Sequence, residues 1–272
     1  DPAVLFDDPG YQATGSLFFY DRTLFAGWTA GIDFLNKILP TMSSFPPISR
    51  WARMVSSHEQ ESGVVVVNKS KRFLGLLGTC KMNGKHERDL ISYKVFHGDK
   101  ETFWVGYEMI QEPYAFVRTF GGVIGELRPD DPKSVCGAQL HLDHKGRPLW
   151  WNGGLYRNKN AGVNRNLDFG YWVSGGGLQK HREWHTNDHK MMQEMLMDMG
   201  LTSSSQLSME PGDPEWDFNE SCLKGGPVVP LTREQADLAN GFVRLDNVVR
   251  EDAQKVGRNE HVDPKVHDWD NI

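Results

Sequence analysis

The stretch HEQESGVVVVNKSKRFLGLLGTCKMNGKHERDLISYKVFHGDKETFWVGYE, His58 to Glu108, decides the fold class. It opens on two acids, Glu59 and Glu61, and runs into Val64-Val65-Val66-Val67. Consecutive β-branched residues, apolar on both faces, predict a strand covered on both sides. Beyond it Phe73, Leu76, Leu77 and Cys80 recur at i, i+3, i+4 and i+7, one face of a helix with Ser70 as its N-cap. The chain turns polar again at His97-Gly98-Asp99-Lys100-Glu101, after which Phe103, Trp104, Tyr107 and Ile110 share the face of a second helix. Asp99 is placed to cap that helix by accepting backbone N–H bonds, a contribution of about 1 kcal/mol. Acid-bearing loop, strand and charged helix start in succession predict an α/β core carrying a polar site.

Toward the N-terminus, Leu17-Phe18-Phe19-Tyr20 predicts another strand, followed at once by Asp21-Arg22. Polar residues beyond a strand's carboxyl end are site candidates in open α/β sheets, although an Asp-Arg pair also suits a surface turn. Ile32 to Leu39 reads as a short helix stopped by Pro40, and Ile48 to Val55 as another. Toward the C-terminus, Tyr114 to Val117 reads as a strand and Gly121, Gly122 and Gly125 as a turn-rich segment. Val135 to Leu142 alternates as a strand does, Lys145 to Pro148 makes a turn, and Leu149-Trp150-Trp151 starts the partner strand. This hairpin would carry His141, Asp143 and His144 at its tip, ahead of a Gly- and Asn-rich loop from Asn152 to Asn166.

His181, His185 and His189 are spaced i, i+4, i+8, as in helical zinc sites. Arg182 stands where the zinc-protease pattern requires Glu, so a solvated face is the simpler reading. Thr186 would cap a helix whose apolar face is Met191, Met192, Met195, Leu196 and Met199, and Leu201 to Pro230 reads as a long ordered loop. Thr232 and Gln235 form a capping-box pair opening a short helix that ends near Gly241. From about Asn247 the chain is polar, giving a domain over 1–246 and a tail over 247–272.

A chain of 272 residues with 39% hydrophobic content can bury one large core. The net charge of −6 and the lack of a basic run or zinc-knuckle spacing argue against a nucleic-acid partner. No apolar stretch reaches the roughly 18 residues that span a bilayer, so the chain as given is expected to be soluble. Residues 1 to 6 read as the middle of an α/β unit, and an upstream portion is expected. Cys80, Cys136 and Cys222 are too few for a disulfide framework or a metal cage and leave the compartment open. Asn68-Lys69-Ser70 and Asn219-Glu220-Ser221 match the N-glycosylation pattern, the second lying among loop residues.

The runs ESGVVVVNKSK, HGDKETFWVGYE and QLHLDHKGRPLWWNGGLYRNKN, with the opening DPAVLFDDPGYQATGSLFFYDRT, resemble the fungal Golgi α-mannosyltransferases, the α-1,2/α-1,3 enzymes of glycosyltransferase family seventy-one. The resemblance covers most of residues 1 to 160 in the same order. It implies a GT-A fold binding GDP-mannose with a divalent cation, commonly Mn²⁺, and retaining transfer to a mannoside, N-glycan or mannan acceptor. It further implies a type II membrane protein of the Golgi, lumenal, attached to the membrane only through an N-terminal anchor upstream. The family's Asp-x-Asp metal motif does not precede Asp1, so the first nucleotide-binding βαβ units and the main metal carboxylates would lie outside this chain.

Breaking a sugar–pyrophosphate bond builds positive charge at the anomeric carbon and negative charge on the leaving phosphates. That chemistry selects Asp99 as the carboxylate facing the sugar or the acceptor hydroxyl, Lys100 as a cation for the departing phosphate, and Glu61 as a contact to sugar hydroxyls, with Glu59 facing outward. His141, then His144, are the candidate metal or diphosphate contacts, although a strand-end histidine bonded to a turn fits equally well. Trp150 and Trp151 alternate faces, so one can stack on sugar while the other packs inward. Asp21 and Arg22 are acceptor-side candidates. Two other classes compete: a glycoside hydrolase pairing Glu61 with Asp99, and a non-catalytic carbohydrate-binding module.

Overall fold

Two sheets stack through one strand's face in the computed structural model, which describes residues 1–23, 29–156, 165–174, 215–217, 221–224 and 226–255. A three-stranded sheet has the order β2-β1-β3, with β1 Ser16–Tyr20 antiparallel to β2 Gln60–Val67 and parallel to β3 Ala115–Phe116. A larger sheet runs β10-β7-β4-β5-β9-β8, with β6 also on β5. Its strands are β4 Gly122–Arg128, β5 Asp131–Leu142, β6 Pro148–Asn152, β7 Tyr171–Val173, β8 Glu215–Asp217, β9 Cys222–Lys224 and β10 Val228–Pro230. The helices are α1 Pro9–Thr14, α2 Gly31–Ile38, α3 Phe73–Asn83, the single turns α4 Lys85–Glu87 and α5 Tyr93–Val95 around a π-helical turn Arg88–Ser92, α6 Lys100–Ile110 and α7 Arg233–Lys255.

Alternation along β1 divides the core. Phe18 and Tyr20 face Trp104, Tyr107, Tyr114 and Phe116, an aromatic cluster under α6. Leu17 and Phe19 face the other way, against Leu149 and Trp150 of β6, so the two sheets pack face to face there. Cys136 and Cys222 face each other in register across β5 and β9 and form a disulfide. The mixed α/β class expected from the sequence is what the chain adopts.

Several boundaries differ from the sequence reading. The valine run belongs to a longer, half-covered edge strand that begins at Gln60. Its pairing with β1 is irregular: Leu17 faces Val66, yet Phe19 faces Glu61, so β2 bulges between Glu61 and Val66. Gly122–Arg128 is a strand, not a turn, because Gly125 and Gly137 meet across β4 and β5, where a Cβ on either would fall within 2.3 Å of a backbone oxygen. Ile48 to Val55 forms turns after a short 3-10 helix at Pro46–Ile48. The Thr232–Gln235 capping box is present, with reciprocal bonds of 3.0 and 3.2 Å. Its helix passes Gly241 and ends at Lys255, so a boundary at 246 falls inside a helix. The histidines at 181, 185 and 189, and the helix expected after Thr186, lie outside the described residues.

The largest correction concerns α3. Of its expected apolar face, Phe73, Leu77 and Cys80 are exposed and Leu76 is half-buried, while Gly75, Thr79 and Met82 are buried. Ser70 is not its cap; the helix starts after Arg72. The reason is the approach of α6: a Cβ at Gly78 would lie 2.6 Å from the Gly106 carbonyl oxygen, and one at Gly106 would lie 2.8 Å from the Thr79 nitrogen. Only a face of small residues admits a backbone so near. Gly106→Ala, a change that raises intrinsic helix propensity, is therefore expected to destabilise the fold by about 1–3 kcal/mol, read as a lower midpoint in urea unfolding. A gain in stability would show that the helices are not in this close contact.

Candidate active site

The ends of β1 and β2 and the start of α6 meet at one buried polar cluster. Tyr20 closes β1, and the next residue, Asp21, donates its backbone N–H to the Glu59 carbonyl at 2.9 Å, which holds it against the entry of β2. Lys100, the first residue of α6, sits between two carboxylates: its Nζ is 2.5 Å from Asp21 Oδ2 and 2.9 Å from Glu61 Oε2. The remaining oxygens are also taken. Asp21 Oδ1 accepts from Gln139 Nε2 at 2.9 Å and from the Arg22 backbone at 2.7 Å. Glu61 Oε1 accepts from the Gly63 backbone at 2.8 Å and from Asn152 Nδ2 at 3.1 Å.

Burial alone would raise the Asp21 carboxyl, but the Lys100 ammonium, His58 and the hydrogen bond from Lys100 outweigh it and hold the group below its usual range. Burial would likewise lower Lys100, and the two carboxylates reverse this and raise it. Asp21 thus adds stability that is present above the unfolded carboxyl value and lost as pH falls through its depressed folded value. Lys100 adds stability that is present below the unfolded lysine value and lost only as pH rises through its raised folded value. Between those limits Asp21 is a carboxylate and Lys100 an ammonium.

Asp99, the N-cap of α6, and the first two residues of the helix grip the start of β2. Asp99 Oδ1 accepts from Ser62 Oγ at 3.3 Å, Lys100 pairs with Glu61, and Glu101 Oε1 accepts from the Glu59 backbone at 2.9 Å and lies 3.3 Å from His58 Nδ1. Glu101 Oε2 takes the Trp104 indole N–H at 2.5 Å. Asp99 occupies the N-cap position, but its side chain makes no capping bond; it is turned toward Ser62 and is exposed. Behind this grip, Arg50 Nη2 donates to the carbonyls of Asp21 and Glu59, at 3.0 and 3.1 Å, tying together the residues that flank the cluster. Glu59 is buried rather than outward, taking the Trp51 backbone N–H at 3.0 Å and pairing with Arg50. Burial raises its carboxyl against the pull of Arg50, with Glu101 adding to the rise.

His141 is not at a hairpin tip. It is buried in β5, stacked on Trp150 at 4.0 Å and edge-on to Phe19. Burial pushes its pKa down to about 3, with Asp21 opposing and Lys100 adding. Its Nε2 has no hydrogen-bond partner among the described residues. The ring is expected to stay neutral, so its NMR shifts should not move across roughly pH 5 to 8; a titration near 6.5 would place it in water.

The other candidates separate. His144 lies within electrostatic reach of Asp8. Among the described residues no group of three or more His, Cys, Asp or Glu could hold a metal ion. The turn is closed instead by Asp143, which accepts from the Lys145 and Arg147 backbones, each at 2.9 Å. Trp150 leans over Gly63, beside Glu61. Trp151 is on the opposite face with Phe169 and Phe242, away from the cluster. Lys100 has its charge engaged by two acids. Asp21 is fully buried and central rather than part of a surface turn, and Arg22 contributes its backbone N–H to it. Gln139, Asn152, Arg50 and Glu101 were not singled out by the sequence; being ordinary polar residues in strands, turns and a helix start, they carry no spacing signal.

Residues 1–143 match the family model described as a mannosyltransferase. The chain belongs to that mannosyltransferase family. Alpha-1,3-mannosyltransferase MNT3 of Saccharomyces cerevisiae is 32% identical over 187 residues, 55% of this chain and 29% of that protein. Alpha-1,3-mannosyltransferase MNT2 of the same yeast is 30% identical over 106 residues, 36% and 18% of the two chains. Alpha-1,3-mannosyltransferase MNN1 of that yeast is 25% identical over 184 residues, 63% and 23%. The match spans less than a third of the length of each of these relatives. The family match contains Asp21, Glu61, Asp99, Lys100, Gln139 and His141, while Trp150 and Asn152 lie beyond it. No helix among the described residues is long and apolar enough to cross a membrane.

Proposed function

We propose that this chain is part of a retaining α-mannosyltransferase of GT-A type that moves mannose from GDP-mannose to a mannoside acceptor, an N-glycan or a mannan side chain. The observation that carries the reading is that the family match encloses the buried Asp21–Lys100–Glu61 cluster and the exposed Asp99 at its edge. In the transfer the bond from the anomeric carbon to the diphosphate oxygen breaks, a bond to the acceptor oxygen forms on the same face, and the acceptor proton leaves. Asp99 is the carboxylate free to face the sugar or that hydroxyl. Asp21 and Glu61, with their oxygens engaged, act as a rigid floor that orients sugar hydroxyls and Trp150 as an apolar wall. Mn²⁺ belongs to the proposal as the counter-charge of the diphosphate. The described residues do not supply a cage for it.

The Cys136–Cys222 disulfide supports an oxidising compartment, consistent with the lumen of the Golgi and with a type II signal-anchored chain. Hydrolysis by Glu61 and Asp99 is disfavoured because Gly63, Asn152 and Lys100 already hold the Glu61 carboxylate, leaving one acceptor site that suits a sugar hydroxyl better than the role of nucleophile or general acid. The test incubates the full-length protein with GDP-mannose, Mn²⁺ and a mannoside, following GDP release and product mass. GDP with an acceptor longer by one mannose is expected. Free sugar released without nucleotide would favour the hydrolase, and sugar binding without turnover the binding module.

A further inference from the structure

The Asn68-Lys69-Ser70 triplet sits in a setting that the candidate site does not use. Asn68 follows the last residue of β2 and opens a turn: its backbone N–H donates to the Gly15 carbonyl at 2.8 Å, and its own carbonyl accepts from the Lys71 and Arg72 N–H groups at 3.0 and 2.9 Å. Arg72 is tied in turn to the Thr14 carbonyl and to Glu112. The backbone of the turn is therefore satisfied and held in place.

Its side chains are not used in the same way. An asparagine that opens a turn ordinarily bonds its own backbone two residues on, yet the Asn68 amide makes no hydrogen bond among the described residues, and neither does the Ser70 hydroxyl. Lys69 and Ser70 are exposed and Asn68 is half-buried. In the second triplet Asn219 lies outside the described residues, but Ser221 is half-buried, gives its carbonyl to the Gly137 N–H at 3.0 Å and precedes the disulfide-bonded Cys222. Loop composition favours the second triplet, whereas the fold favours the first.

Position and compartment point the same way. β2 enters the candidate site through Glu61, and Asn68 lies past the other end of the strand, roughly 20 Å away at about 3.3 Å per residue. A bulky, solvated group there leaves Asp99 and Lys100 clear. The Cys136–Cys222 disulfide marks an oxidising compartment, and Asn-x-Ser triplets are glycosylated in secreted and lumenal chains.

We propose that Asn68 carries an N-linked oligosaccharide. Its Nδ2 forms a bond to the anomeric carbon of an oligosaccharide carried on a lipid diphosphate, the bond from that carbon to the diphosphate oxygen breaks, and the amide gives up one proton as the lipid diphosphate leaves. The inference rests on the lumenal placement proposed above and not on mannose transfer by this chain.

The test expresses the full-length protein in a fungal host and compares its gel mobility before and after a glycosidase that releases Asn-linked sugars. A step to faster mobility is expected. In heavy-oxygen water the same release turns a modified asparagine into a labelled aspartate, and the label is expected at position 68. Asn68→Gln and Ser70→Ala should each remove one step, Ser70→Thr should keep it, and Asn219→Gln should leave the label at position 68. A wild-type band that the glycosidase does not move overturns the proposal, and alkylation of the cysteines in the same sample locates the failure. A formed Cys136–Cys222 disulfide without sugar places the error at Asn68, and free thiols place it in the lumenal reading. A single step that survives Asn68→Gln and disappears with Asn219→Gln also overturns the proposal and assigns the sugar to the second triplet.

Discussion

Lys100→Met is expected to lower stability by about 3 kcal/mol at neutral pH, because removing the cation of a buried pair leaves charge without compensation. The effect is large because one ammonium serves two carboxylates whose side chains are 1% and 2% exposed. At roughly 2–4 °C per kcal/mol for a chain of this size, the melting temperature should fall by about 10 °C. The sign of the pH dependence is the sharper test. Without Lys100 the two acids repel across a buried gap, so at least one folded-state pKa rises above its unfolded value of roughly 4. The penalty then grows as pH rises from that value toward the raised one, and acidification relieves it. In the wild type Asp21 behaves oppositely, losing its contribution on acidification. A variant whose deficit is the same at acid and neutral pH would show that Lys100 is not screening the two acids. Transfer should fall by about 100-fold as well, since the floor of the site shifts when Asp21 and Glu61 separate.

Asp99→Asn should instead leave the fold alone and remove activity. Asp99 is exposed, makes no capping bond and accepts a 3.3 Å bond from Ser62, so stability should change by no more than about 0.5 kcal/mol. If its carboxylate handles the acceptor proton or the developing charge, transfer falls by roughly 100- to 10,000-fold, with binding of the donor little altered. Wild-type rates would remove Asp99 from the mechanism while leaving the family membership untouched. Glu101→Gln offers a control for geometry: it puts an amide N–H against either the Trp104 indole or the Glu59 backbone N–H, both donors, and so loosens the grip that aims Asp99. A rate loss there with a changed melt separates positioning from chemistry.

The sequence of His58–Glu108, with the resemblance of its blocks, was enough to establish a strand, two helices, a polar site at their junction and the family to which the chain belongs. It sufficed because β-branched runs and 3.6-residue periodicity are local signals, expressed within a few residues, as is the Thr232–Gln235 capping box farther along the chain. Faces and partners were another matter. Periodicity marks where the large apolar residues of α3 lie, but which side turns inward depended on Gly78 meeting Gly106 across two helices, and contact of small residues leaves no hydrophobic signal. Asp21, Glu61, Lys100, Gln139 and Asn152 are separated by up to 131 positions and become one cluster only when β1, β2, β5, β6 and α6 are assembled. Burial set the chemistry too: it made His141 neutral, drew Glu59 inside and engaged the charge of Lys100, outcomes fixed by the dielectric and by neighbours that no stretch of sequence contains.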